Sequence, residues 1–220
     1  MKMKNARSMD FNNFLDNLPK IAKEKLLGIT AHIKMAPFDR IEIMKNFNPE
    51  IKKPKKAAVL MLLYPKNKET HLVLIVRNEY PGVHSSQIAF PGGKYEIDDA
   101  SLEDTALRET WEEVGVESSK IKIIKPFTEI YIPPSNFMVY PFLGYSEEEI
   151  VFIPSPDEVA AIIELPITEL LNEQNVVSVN MTTSYAVDID VPAFQMQNHI
   201  VWGATAMIIS ELKEVLKSTL

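Results

Sequence analysis

Residues 90–116 read Phe-Pro-Gly-Gly-Lys-Tyr-Glu-Ile-Asp-Asp-Ala-Ser-Leu-Glu-Asp-Thr-Ala-Leu-Arg-Glu-Thr-Trp-Glu-Glu-Val-Gly-Val. A double-glycine turn runs into a short helix that carries Glu109, Glu112 and Glu113. Residues three and four apart share a helix face, because each residue turns the chain by about 100°. Three carboxylates on one face repel one another unless a cation lies between them. Hard divalent ions take oxygen ligands of this kind, commonly together with substrate phosphates. The stretch therefore points to a metal-dependent enzyme acting on a phosphorylated compound.

The helix has its own start and stop signals. Ser101 and Asp104 fit a capping-box-like start, and Gly115 fits the left-handed position that ends a helix. Leu107, Thr110, Trp111 and Val114 are expected on the side that packs against a sheet. The three glutamates then face a cleft. A merely solvated acidic face would interleave Lys or Arg at offsets of four, and only Arg108 is available. Glycine at 92 and 93 lets backbone approach a ligand or another segment closely.

A chain of 220 residues with 46% hydrophobic residues fits one domain with a real core. The net charge of −7 argues against a general nucleic-acid binder. It leaves room for an anionic substrate, because a bound cation reverses the sign of a site. No apolar run reaches the roughly 20 residues that span a bilayer. The start lacks a signal-peptide core, so the expected location is the cytosol. With no cysteine there is no disulfide, thiolate metal site or Cys nucleophile. Lys52-Lys53-Pro54-Lys55-Lys56 reads as a solvated linker.

The expected organisation is an N-terminal helical extension and linker over residues 1–55, followed by the main domain over 56–220. Asp10 caps a first helix with Phe11, Phe14, Leu15 and Leu18 on one face, continuing after Pro19 through Ile21 to Leu27. Ala57 to Tyr64 is a continuous apolar run suited to a buried strand, and His71 to Arg77 is a second. Pro65-Lys66-Asn67-Lys68 supplies the turn between them. Ile121 to Ile132 pairs with Phe137 to Tyr145, Glu158 to Glu164 forms a strand, and Pro166 opens a short helix. Val176 to Tyr185 and Val191 to Met196 form a late hairpin. Trp202 to Leu216 closes the chain as a helix. The fold class is α/β (α+β), a mixed sheet between helices.

Gly93 through Val116 resembles the Nudix box, G-x5-E-x7-R-E-U-x-E-E-x-G-U, where U is apolar. Arg108 to Val116 matches its second half, with Thr110 at an apolar position. In the first half Asp99 replaces a Glu, and one extra residue separates it from Arg108. The resemblance implies a loop-helix-loop that binds magnesium or manganese. Glu109, Glu112 and Glu113 would be ligands, joined by the Gly92 carbonyl, and Arg108 would orient a carboxylate. It also implies hydrolysis of a diphosphate joined to a nucleoside.

Leu72 to Arg77 and His84-Ser85-Ser86-Gln87-Ile88-Ala89-Phe90-Pro91-Gly92-Gly93 are similar to the segment before the box in coenzyme A diphosphatases. That branch shares the one-residue expansion and the Asp. It implies cleavage of coenzyme A to 3′,5′-ADP and 4′-phosphopantetheine. Asn78, Gly82 and Ser86 depart from its usual Ser, Arg and Gly. ADP-ribose or a dinucleotide is the alternative substrate, and a non-catalytic nucleotide-binding regulatory domain the alternative of another class. The implied partner is a small nucleotide such as coenzyme A, without nucleic acid or membrane, leaving room for a homodimer.

The resemblance also implies a Glu away from the box as base or extra ligand, which makes Glu158 a candidate, against a plain surface carboxylate. Arg77 and Lys94 are candidate phosphate partners. His84 and Gln87 either touch substrate or rigidify the turn. Tyr131 and Phe137 read chiefly as core aromatics, and Trp202-Gly203 as a close approach of the last helix to the sheet.

Overall fold

The computed structural model describes residues 10–78, 87–183 and 187–220. The N-terminal part carries α1 (Phe11–Lys23), α2 (Ile29–His32), α3 (Phe38–Lys45) and α4 (Pro49–Lys52). The centre follows with β1 (Lys55–Lys66), β2 (Glu69–Arg77), β3 (Ile88–Ala89), β4 (Gly92–Lys94), α5 (Leu102–Val114), β5 (Lys122–Pro126), β6 (Ile130–Ile132) and β7 (Phe137–Tyr145). The C-terminal part holds β8 (Val159–Pro166), α6 (Ile167–Leu171), β9 (Val176–Met181), β10 (Ile189–Met196), β11 (His199–Trp202) and α7 (Gly203–Thr219). No helix among the described residues is long and apolar enough to cross a membrane.

β1 organises the main sheet. It is apolar without alternation because both of its faces are buried. Met61 and Leu63 point to the cluster that includes α1 and α7. Leu60, Leu62 and Tyr64 point to the cluster that includes Ala106 and Val114 of α5. The expected α+β architecture, a mixed sheet between helices, is what the chain forms.

The sheet contains a split that matters for the site. β1 and β2 pair only between Leu63↔Leu72 and Lys66↔Glu69. Beyond that the strands diverge, and the segment from 88 to 94 fills the gap. β3 lies on β2 and β4 lies on β1. β8 covers the far edge of β2, while β7 runs parallel to β1 from Lys55↔Phe137 to Leu63↔Tyr145. The glycine pair is thus held in a wedge between two rigid strands.

Several local expectations change. The β1–β2 turn is tighter than four residues: Asn67 and Lys68 make it alone, with φ of +51° and +68°. Two successive positive φ values match the twist of a hairpin, so Pro65 stays in β1 opposite Thr70. The expected strand Ile121 to Ile132 breaks into β5 and β6. Both use the same edge of β7, and a bulge interrupts the β5 register. The basic run is no free linker, because Lys55 and Lys56 belong to β1. α1 ends at Lys23 rather than near Leu27. α7 starts at Gly203, after a third strand, β11, has completed the expected hairpin. Tyr185 and its neighbours 184–186 lie outside the described residues.

The N-terminal helices pack on α7. Phe14 and Ile21 of α1 are fully buried, and Ser210 of α7 donates to the Ala31 carbonyl at 2.8 Å. Glu211 of α7 is buried yet satisfied: Gly28 N–H donates to it at 2.6 Å and the Thr128 hydroxyl at 2.8 Å. A buried carboxylate needs such donors to be tolerated. These bonds tie the N-terminal helices, α7 and the β5–β6 connection together.

Candidate active site

α5 presents the acidic cluster, and its geometry explains which carboxylate goes where. Ser101 caps the helix by accepting from Asp104 N–H at 3.1 Å. Its hydroxyl also donates to the Asp104 carboxylate at 2.9 Å. Gly115, with φ of +74°, ends it. Glu113 lies seven residues, two helix turns, after the buried Ala106, so it points inward with it. It is fully buried. Glu109 lies one turn earlier and is partly buried, while Glu112 is rotated by about 100° toward solvent. The simple division into an apolar and an acidic side therefore fails at two residues. Glu113 belongs to the inner face, and Trp111 stands 56% exposed instead of packing on the sheet.

The glycine strand meets this helix at close range. Gly92 N–H donates to Glu113 Oε2 at 2.8 Å. A Cβ on Gly92 would lie 2.3 Å from the Ala58 carbonyl oxygen and 2.5 Å from Val59 Cα, at a φ of +150°. A Cβ on Gly93 would lie 2.4 Å from the Glu109 carboxylate. The two glycines let the strand sit between β1 and the acids with nothing but backbone in the way.

One oxygen from each of Glu109, Glu113 and Glu158 lies within 4.8 Å of the others. Burial pushes the Glu109 carboxyl up, and Glu112 and Glu158 add repulsion against the pull of Arg108. Burial likewise raises Glu113 to about 7, against the lowering effects of Gly92 N–H and Arg77. These are the conditions that a hard cation relieves: several carboxylate oxygens, close together, whose burial and repulsion Arg77 and Arg108 do not offset. All three residues are oxygen donors, which suits a hard cation rather than a soft metal.

Glu158 sits in the turn just before β8. Its backbone N–H donates to the Ser155 carbonyl at 3.2 Å. Asn78 fastens this turn twice, through its N–H to the Glu158 carbonyl at 3.0 Å and its side-chain amide to the Pro156 carbonyl at 2.8 Å. Asn78, which departs from the coenzyme A diphosphatase pattern, thus holds the loop that brings Glu158 to the helix.

Arg108 is the hub on the other side. Its Nε and Nη2 grip both oxygens of the buried Asp99, at 2.8 and 3.1 Å. Nη1 donates to Glu109 and to Glu112, each at 3.0 Å, and Nη2 also reaches the Lys94 carbonyl at 3.1 Å. Asp99 further accepts from the Thr105 hydroxyl and Glu96 N–H. It is therefore the anchor of the loop on α5. Glu112 lies outside the tight trio, engaged by Arg108.

A cavity of about 390 Å³ opens beside Gly92 and Gly93. Arg77, Gln87 and Lys94 line it, as do Phe137 and Trp202. Arg77 also donates to Glu113 at 3.2 Å, so it bridges cavity and acids. Its backbone N–H donates to the Gln87 carbonyl at 3.0 Å. Tyr131 stacks on Phe47 with centroids 4.2 Å apart, and its hydroxyl donates to Asn136 at 3.0 Å. Gly203 makes no close approach, since a Cβ there would meet nothing within 4 Å; its φ of +65° is what favours glycine. His84, with Gly82 and Ser86, falls outside the described residues. Arg40 of α3 also lines the cavity, and nothing in the sequence pointed to it.

Residues 54–183 match the NUDIX domain family. The uncharacterized Nudix hydrolase NudL of Yersinia pestis is 32% identical over 160 residues, which cover 73% of this chain and 79% of NudL. NudL of Yersinia pseudotuberculosis gives the same values. Among solved structures, the Nudix hydrolase RenU of M. smegmatis aligns with a TM-score of 0.52 at 15% identity, over 76% of this chain and 88% of RenU. The NUDIX domain of Shewanella oneidensis NrtR, solved with ADP ribose, aligns at 0.50 and 16% identity, over 80% and 97%. The structures share the fold, while the family match and the NudL identity carry the relationship itself: the chain belongs to the Nudix family, as a pyrophosphohydrolase that cleaves a diphosphate in a nucleoside diphosphate derivative.

Proposed function

We propose that the enzyme hydrolyses coenzyme A to 3′,5′-ADP and 4′-phosphopantetheine, using magnesium or manganese. The observation that supports this most is the cavity beside the glycine strand. It combines apolar walls, among them Phe90, Phe137 and Ile208, with cationic side chains, and it abuts the carboxylates across one glycine backbone. An apolar arm and an anionic nucleotide on one molecule need both kinds of surface. The run from Gln87 to Gly93 and the Asp99 variant of the box agree with the coenzyme A branch.

In this reading Glu109, Glu113 and Glu158 hold the cation. Glu112 is the next oxygen donor on the helix and would exchange Arg108 for it. The chemistry that a bound cation supplies is polarisation of the phosphoryl oxygens and an acidified attacking water. The chain's own residues do the rest. Glu158, exposed at the cluster's rim, takes the proton from water as its oxygen bonds to phosphorus and the bridging P–O bond breaks. Arg77 faces the diphosphate while fixing Glu113. Arg108 fixes the loop and the carboxylates beside it. Phosphoryl transfer needs mainly this positioning and charge stabilisation.

The test is incubation of purified protein with coenzyme A, ADP-ribose and diadenosine polyphosphates, with magnesium, manganese or a chelator, and identification of products by mass. Coenzyme A is expected to be the best substrate, with no turnover in chelator. Preference for ADP-ribose, the ligand found with the NrtR domain, would replace the coenzyme A assignment. For the base, Glu158→Gln is expected to lower kcat by about 10², the usual scale of general base catalysis. Its melting temperature should not fall, because the side chain is exposed and its charge repels Glu109 and Glu113. Unaltered turnover would remove Glu158 from the mechanism.

A further inference from the structure

Three charged side chains line the cavity among the described residues, Arg40, Arg77 and Lys94, and all are cations. In a chain of net charge −7 that is a local reversal of sign. Arg77 and Lys94 stand at the diphosphate end, beside Glu113 and Gly93. Arg40 stands apart. It comes from α3, before the matched region 54–183. It is 5% exposed, and its Nη2 donates to the main-chain carbonyl of Tyr131, which orients the guanidinium.

The sheet gives the spacing. Tyr131 pairs with Met138, Met138 with Lys56, and the adjacent Ala57 with Lys94. Three strand spacings of about 4.8 Å separate Tyr131 from Lys94, roughly 14 Å. A diphosphate bound at the carboxylates does not reach that far. A cation at this place addresses another part of the ligand, and the planar fork of arginine suits a phosphate.

We propose that Arg40 is a specificity-determining residue that reads a second anionic group of the substrate, a phosphate monoester set apart from the scissile diphosphate. The inference rests on the coenzyme A reading above, in which the ribose 3′-phosphate is that group. The N-terminal helices thereby complete the substrate cavity in addition to packing on α7.

The test is binding, measured by calorimetry, of 3′,5′-ADP and 5′-AMP, which differ by that one phosphate. The wild-type protein is expected to bind 3′,5′-ADP at least tenfold more tightly. Arg40→Gln keeps an N–H for the Tyr131 carbonyl and removes the charge; it should bring the two ligands within twofold. Arg40→Lys keeps the charge but lacks the planar fork that meets a phosphate with two N–H groups, and should lower the preference at least threefold. A wild-type preference under twofold overturns the proposal. So does an unchanged preference in folded Arg40→Gln or, should that variant not fold, in Arg40→Lys. Hydrolysis is read separately. A protein that shows the expected binding ratios but does not cleave coenzyme A would sink the substrate assignment and leave Arg40 in its role.

Discussion

Glu113→Gln is expected to lower kcat by about 10³, or about 4 kcal/mol of transition-state stabilisation. The substitution is close to isosteric. Its remaining carbonyl oxygen can still accept from Gly92 N–H, the bond that now measures 2.8 Å. What it removes is a negative charge at the innermost position of the Glu109, Glu113 and Glu158 trio. That charge is costly in the metal-free protein, because burial disfavours it. A carboxylate held in such a place at a cost to stability is what a cation site requires. Glu113→Gln should therefore lose activity with little loss of stability, the relief of an unfavourable buried charge being offset by an amide NH2 that faces Arg77. The check is paired: single-turnover kinetics with the substrate that the product assay identifies, and manganese titration followed by its electron paramagnetic resonance signal. Loss of turnover with manganese affinity intact would move Glu113 from metal binding to another role. Turnover within tenfold of wild type would remove it from the site.

How much of this was legible beforehand depends on distance along the chain. The α5 signals are local, so Ser101, Gly115 and the acidic face could be read from spacing. The inward turn of Glu113 needed only the two-turn relation to Ala106, yet a charged residue at an inner position runs against the usual partition of helix faces. The sheet split was not legible. β3 and β4 are two and three residues long, too short for any period to appear. The same holds for α2, α3 and α4, since helices of this length are set by tertiary packing and not by propensity. Arg40 was invisible for that reason: its position in the cavity depends on a carbonyl 91 residues away. Glu158 could be suspected from the family resemblance, but its position follows from Asn78, a residue that stood out only as a departure from a pattern.

Asp99→Asn is expected to destabilise the protein by about 2 kcal/mol at neutral pH. Breaking a buried ion pair costs more than that in general, about 3–5 kcal/mol. Arg108 keeps 23% of its side chain in solvent, which reduces the loss. The bidentate grip of Arg108 holds the Asp99 carboxyl well below the usual carboxylate range, with Glu96 N–H and the Thr105 hydroxyl assisting against the cost of burial. A carboxyl depressed by folding stabilises the native state at every pH above its unfolded value, about 4. That stability is lost as pH falls toward the folded value. The gap between wild type and Asp99→Asn should therefore be constant from pH 7 to pH 5 and narrow only below about pH 4. Urea unfolding at pH 7, 5 and 3 measures it, and a gap that already narrows between pH 7 and 5 would assign the effect to another group. The same substitution should reduce turnover about tenfold, because Arg108 would lose the partner that aims it at Glu109 and Glu112. The physical logic of the altered box lies here. Asp is one methylene shorter than Glu, and here the shorter carboxylate meets the arginine with both oxygens. Asp99 is buried and already fills the space between Thr105 and Arg108, so Asp99→Glu should overfill that pocket and weaken the pair.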